Sequence, residues 1–121
     1  MIKEWMEGVI KNENKRVGVT NLIFCSDEYL LEVNKEFLKR DYLTDVISFD
    51  YTKEDKISGD VLISVERVEE NAMEHRISFL EELKRVMVHG LLHLIGYDDN
   101  TVENKAIMTA REDFYLVGSP E

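Results

Sequence analysis

The segment His89-Gly90-Leu91-Leu92-His93-Leu94-Ile95-Gly96-Tyr97-Asp98-Asp99 constrains this chain more than any other. On an α-helix, residues four apart share one face, so His89 and His93 can hold a single metal ion between them. Gly96, three residues after His93, can end that helix and turn the chain, bringing a side chain six residues after His93 back toward the imidazoles. Asp99 is that side chain, which makes His89, His93 and Asp99 the candidate ligand set. Three protein ligands leave part of the coordination sphere open to water, as in a metal-dependent hydrolase. The plainer alternative is that both histidines are a helix's polar edge or satisfied core residues. Histidine usage speaks against it: the chain's only other histidine is His75, and these two fall at ligand spacing just ahead of a helix stop and an acidic pair.

A chain of 121 residues is long enough for one hydrophobic core and too short for two, so a single domain over residues 1–121 is expected. No apolar run is long enough to span a membrane, and Met1 to Glu7 is amphipathic and acidic rather than basic and then apolar. A cytoplasmic protein with neither signal peptide nor membrane partner is the expectation. Cys25 stands alone, which excludes an internal disulfide and suits a buried strand thiol in a reducing compartment. The formal net charge of −10 is the opposite of a broad nucleic-acid-binding surface. Lys15-Arg16, Lys39-Arg40 and Lys84-Arg85 are short clusters that read as solvated surface. Any RNA contact must therefore be local, metal-assisted or made within a larger assembly.

Hydrophobic periodicity predicts a first amphipathic helix from Ile2, Trp5, Met6, Val9 and Ile10, ending before the polar Lys11 to Arg16 turn. Val17 to Cys25 is β-branched and aromatic and reads as a strand; Ser26-Asp27-Glu28 then opens a helix carrying Tyr29, Leu30, Val33, Asn34, Phe37 and Leu38. Asp45 to Tyr51 and Gly59 to Ser64 read as two strands around the charged Thr52 to Lys56 segment, with a bulge expected at Gly59. Ser64 can cap a helix reaching about His75. Ser78 and Glu81 form a capping box for the metal-bearing helix, whose expected core arc is Phe79, Leu80, Leu83, Val86, Met87, Gly90 and Leu94, with His89 and His93 beside it about 40° apart. A last helix from about Thr101 to Leu116 is expected to pack through Val102, Ile107, Met108, Ala110 and Phe114.

On these residues the chain resembles the YbeY endoribonucleases of bacterial ribosomal RNA maturation, whose signature H-G-x-L-H-L-x-G-Y-D-H stands here as HGLLHLIGYDD. Thr44-Asp45-Val46-Ile47-Ser48-Phe49 is a second matching block. Ser58 to Ser64 with the following Val68-Glu69-Glu70-Asn71-Ala72 is a third, so the resemblance covers nearly the whole chain. It implies an α/β (α+β) fold: one compact domain with a mixed four-stranded sheet, surrounding helices and a zincin-like metal site on a core helix. It further implies one Zn²⁺ per chain and single-strand-specific cleavage in maturation of the 3′ end of 16S rRNA, in ribosome quality control and with the small ribosomal subunit as partner.

Two positions depart from the family pattern. The usual third histidine is Asp99, which adds a negative charge to the ligand set and moves metal preference toward harder ions such as Mn²⁺ or Mg²⁺. The arginine that often precedes the T-D/N-V block is replaced by Leu38. Arg40, two residues on, is the candidate to stand in for it, against the plainer reading of a solvated basic residue.

In the mechanism this implies, the metal activates water and polarises a phosphodiester oxygen. Gly90 occupies the place of the general-base glutamate in the H-E-x-x-H zinc proteases, so the protease base is absent. Asp98 is a candidate proton acceptor, or equally a partner that orients a ligating imidazole. A metallo-endoribonuclease thus ranks first, a metallohydrolase of another substrate such as a peptide second, and a non-catalytic ribosome-assembly factor with a structural metal third.

Overall fold

The computed structural model describes residues 1–120 and places eight elements in the order α1 (Ile2–Asn12), β1 (Arg16–Cys25), α2 (Asp27–Leu38), β2 (Val46–Asp50), β3 (Lys56–Ser64), α3 (Val65–His75), α4 (Phe79–Ile95) and α5 (Val102–Val117). Local chemistry sets the helix ends. The Ser26, Ser64, Ser78 and Thr101 side chains each accept the backbone N–H three residues on, at the starts of α2, α3, α4 and α5. Lys39 and Arg76 end α2 and α3 in the left-handed region.

The sheet order is β1-β3-β2, with β1 parallel and β2 antiparallel to β3. As the middle strand, β3 is covered on both faces in its second half, which is why Val61, Leu62 and Ile63 are consecutive apolar residues and all buried. Val61 and Ile63 join α1, α4 and α5 in the larger core, while Leu62 packs with Leu30, Val33 and Ile47 in a smaller core under α2.

Three expectations are corrected. The sheet has three strands among the described residues rather than four: the chain holds three β-rich segments, its remaining elements are helices, and β1 forms an edge. The β-bulge lies at Gly18-Val19 of β1, both facing Ser58, and not at Gly59. Gly59 sits in register with Thr20 and Asp50, and it is glycine because a Cβ there would lie 2.3 Å from the Phe49 carbonyl oxygen and 2.7 Å from Leu94 Cδ2. The helix arcs also differ from the periodicity. Phe79 and Leu80 in the first turn of α4 are exposed, whereas Val88, Leu91 and Leu92, outside the expected arc, are fully buried. The reason is position, since α4 packs against β2, β3, α1, α3 and α5 together. Conversely α5 leans mainly on α4 and buries only the Met108, Glu112 and Tyr115 stripe, leaving Val102, Ile107, Ala110 and Phe114 exposed. The result is one compact α+β domain, and no helix among the described residues is long and apolar enough to cross a membrane.

Candidate metal centre

Helix α4 brings His89 and His93 together one turn apart, with their Nε2 atoms 3.1 Å from each other. Gly96 then adopts φ 120, which glycine tolerates without strain, and the Gly96 and Tyr97 amides both donate to the Leu92 carbonyl. That turn returns Asp99, whose Oδ2 lies 3.3 Å from His89 Nε2 and 3.8 Å from His93 Nε2. Three donors held about 2.1 Å from one ion at near-tetrahedral angles stand about 3.4 Å apart, so these atoms already outline a coordination site. Two imidazole nitrogens facing each other at 3.1 Å also need a shared cation or proton to offset their lone-pair repulsion. The donor set fits a divalent metal, and it is the cluster of this kind found among the described residues.

The backing of this site was not legible in the sequence. Glu112, buried on α5, accepts a hydrogen bond from His89 Nδ1 at 2.5 Å and is itself paired with Arg85 Nη1 at 2.9 Å. Donation from Nδ1 fixes the tautomer that leaves Nε2 free for a metal, the role of a carboxylate behind a ligating histidine. Burial pulls the His89 pKa down, but the hydrogen bond and charge of Glu112, with Asp99 and Asp45, raise it on balance. Burial and the neighbouring His89 lower that of His93. The Lys84-Arg85 pair is not the solvated surface its sequence suggested: Lys84 is buried and donates to Ser119 and the Pro120 carbonyl, and Arg85, one turn before His89, pairs with Glu112 and Asp113.

Asp45, inside the second motif block, is a further residue of the site. It borders the cleft, holds the Asn71 amide at 3.2 Å, and burial raises its pKa against the pull of His89. Gly90, in the place of a protease's glutamate, has no room for a side chain: a Cβ would lie 2.5 Å from Val61 Cγ1 and 3.1 Å from Val46 Cγ2, and Ser48 Oγ donates to its carbonyl at 2.9 Å. The sheet and α4 close on each other where that base would stand.

Asp98 does not join the cluster. Its Oδ1 accepts from the Asn104 amide at 2.7 Å, bracing the turn before α5. The same turn is tied to α1 through Glu13, which accepts from the Tyr97 hydroxyl at 2.7 Å and from the Tyr115 hydroxyl, with Arg111 beside it. Burial and the Glu13 carboxylate push the Tyr115 pKa up to about 12. Arg40 lies on the α2–β2 connection and, with Tyr42, Lys105 and the three candidate ligands, lines a cleft of about 590 Å³. Among the described residues neither Arg40 nor Lys105 makes an ion pair, so both cations are free to meet an anion in that cleft.

Comparison with known proteins follows the same lines. The family described as Endoribonuclease YbeY matches residues 1–118. The Endoribonuclease YbeY of Flavobacterium psychrophilum is 53% identical over 109 residues, covering 90% of this chain and 78% of the relative. That of Flavobacterium johnsoniae is 52% identical over 110 residues, covering 91% and 79%. Among solved structures, the solution structure of a Thermotoga maritima protein superposes with a TM-score of 0.69 at 35% identity, covering 95% of this chain and 76% of that one.

Proposed function

The chain belongs to the Endoribonuclease YbeY family, and from that premise we propose that residues 1–121 form a single metal-dependent endoribonuclease domain that cuts single-stranded RNA in maturation of the 3′ end of 16S rRNA and in ribosome quality control. The observation that carries this reading is the convergence of His89 Nε2, His93 Nε2 and Asp99 Oδ2 at the floor of an open cleft, with Glu112 orienting His89 from behind. Three ligands rather than four support a catalytic over a structural metal. A divalent ion held there supplies a water of lowered pKa and a Lewis acid for a phosphodiester oxygen.

The protein's own side chains do the rest. Glu112 keeps His89 in the ligating tautomer, and the Gly96 turn, fastened by Tyr97 to Glu13, presents Asp99. Arg40, free at the cleft wall, neutralises phosphate charge, and Asp45, which lines the cleft and is desolvated beside His89, is better placed to accept a proton than Asp98, which is exposed and stands outside the lining of the cleft. Zn²⁺ is the proposed ion, one per chain, with Mn²⁺ or Mg²⁺ as competitors because Asp99 is a harder ligand than a third imidazole. The proposed setting is the cytoplasm, with the small ribosomal subunit as partner.

The test is cleavage of single-stranded RNA by metal-stripped protein after Zn²⁺, Mn²⁺ or Mg²⁺ is restored. The parent should cut, and His89→Ala should keep its circular dichroism spectrum but lose both metal uptake and cleavage. Cleavage by a folded His89→Ala protein at the parent's rate under every metal would overturn the reading.

A further inference from the structure

Tyr42 stands at the mouth of the cleft with 53% of its surface open to water, yet its backbone is held from behind. The buried Asn34 fixes the connection at two points: its carbonyl accepts the Arg40 N–H at 3.1 Å, and its side-chain amide donates to the Tyr42 carbonyl at 2.9 Å. A fully buried amide devoted to one loop carbonyl makes this a set position rather than a loose tip. Among the described residues the Tyr42 ring has no aromatic partner and its hydroxyl no hydrogen bond, so an aromatic face is presented and left free. Lys105 enters the same cleft from α5, exposed and without an ion pair among the described residues.

The chain carries a net charge of −10, and Asp45 and Asp50 also line this cleft, so overall charge does not draw a polyanion to it. Attraction has to come from point contacts, and a free aromatic face with a free ammonium is the pair that single-stranded nucleic acid engages: a base stacks on the ring and a phosphate meets the cation. Resting on the ribonuclease reading above, the geometry points to a two-point RNA subsite in which an unstacked nucleobase lies on Tyr42, a nearby phosphate pairs with Lys105, and the strand between them passes His89, His93 and Asp99. Bases inside a duplex cannot reach Tyr42, so the subsite selects unpaired strand.

The probe is a fluorescein-labelled, 2′-O-methyl phosphorothioate RNA of about a dozen nucleotides, which resists hydrolysis, titrated with metal-loaded protein and followed by anisotropy. Tyr42→Ala should weaken binding on the order of tenfold, while Tyr42→Phe, which keeps the stacking face, should stay near the parent. An abasic sugar walked along the probe should cost the parent about the same factor at one position and cost Tyr42→Ala nothing more there. Lys105→Gln should reduce the slope of log K against log salt by about 0.7, one phosphate contact on a single strand. Unchanged binding by Tyr42→Ala, or a loss that persists at every abasic position, would overturn the subsite and assign the exposed ring to another surface such as a protein contact. Cleavage by the parent is measured in parallel. Tyr42-dependent binding without cleavage defeats the nuclease reading alone, and cleavage with Tyr42-independent binding defeats the subsite alone.

Discussion

Helices α4 and α5 are nearly equal in length, at 17 and 16 residues, and both contribute to the metal centre, yet they are built on opposite principles. Helix α4 is covered on most sides by the sheet and three helices, and its middle is a continuous buried block from Val86 to Val88 and from Gly90 to Leu92. Helix α5 leans mainly on α4 and buries Met108, Glu112 and Tyr115, two of which carry polar groups committed to the site. Helix α4 supplies cohesion and the two histidine ligands, and α5 supplies groups that set how those ligands behave. Position in the fold, more than hydrophobicity, divides the two roles: Ile107 and Phe114 on α5 are as apolar as Leu91 and Leu92 on α4, but they stay half exposed where Leu91 and Leu92 are fully buried.

The largest effect that would break this contrast is on stability. Leu91→Ala should destabilise the fold by about 2–5 kcal/mol through lost burial and a residual cavity, whereas Ile107→Ala should stay within about 0.5 kcal/mol. Urea unfolding of the two variants reads the difference directly, and comparable losses would mean that α5 is as much a core helix as α4.

A smaller effect should appear on the metal. Glu112→Gln keeps the size of the side chain but weakens the hold on His89 Nδ1, so metal affinity should fall about 10–100-fold with little change in the far-ultraviolet spectrum. Competition with a chromophoric chelator measures it. Unaltered affinity would reduce Glu112 to a partner of Arg85 and take the tuning role from α5.

The smallest effect is confined to alkaline pH. Tyr115 has its pKa raised from 10.0 to about 12 in the folded chain, by burial and by Glu13. A raised pKa means that the neutral tyrosine's contribution is complete below pH 10 and is lost as pH climbs toward 12, because the unfolded chain ionises first. Between those limits the parent should lose stability with rising pH more steeply than Tyr115→Phe, in thermal melts at fixed ionic strength. Parallel curves would show that the tie from Glu13 to α5 does not distinguish folded from unfolded protein.

Along the sequence, α4 was readable because its signals are local: Ser78 and Glu81 at its start, Gly96 at its end, and histidines at a spacing that only a helix turns into a pair. The return of Asp99 follows from the same turn, and the family was written in the contiguous motif. The three β-rich segments likewise announced the three strands, while the expected fourth came from resemblance and has no segment of its own among the described residues. What sequence could not show is what lies opposite what. Glu112 is 23 residues from His89, Glu13 is 84 from Tyr97, and both meet their partners only because α5 and α1 pack around α4. Gly59 and Gly90 are glycines because other elements close on them, and Ile107 is exposed because no element among the described residues covers α5's outer face. Capping, turning and periodicity act within a few residues, so the sequence alone determined the helix, its ligands and the turn that completes them. Burial, the choice of an imidazole tautomer and the presentation of Tyr42 depend on surfaces brought together from distant segments, and those only the tertiary structure decided.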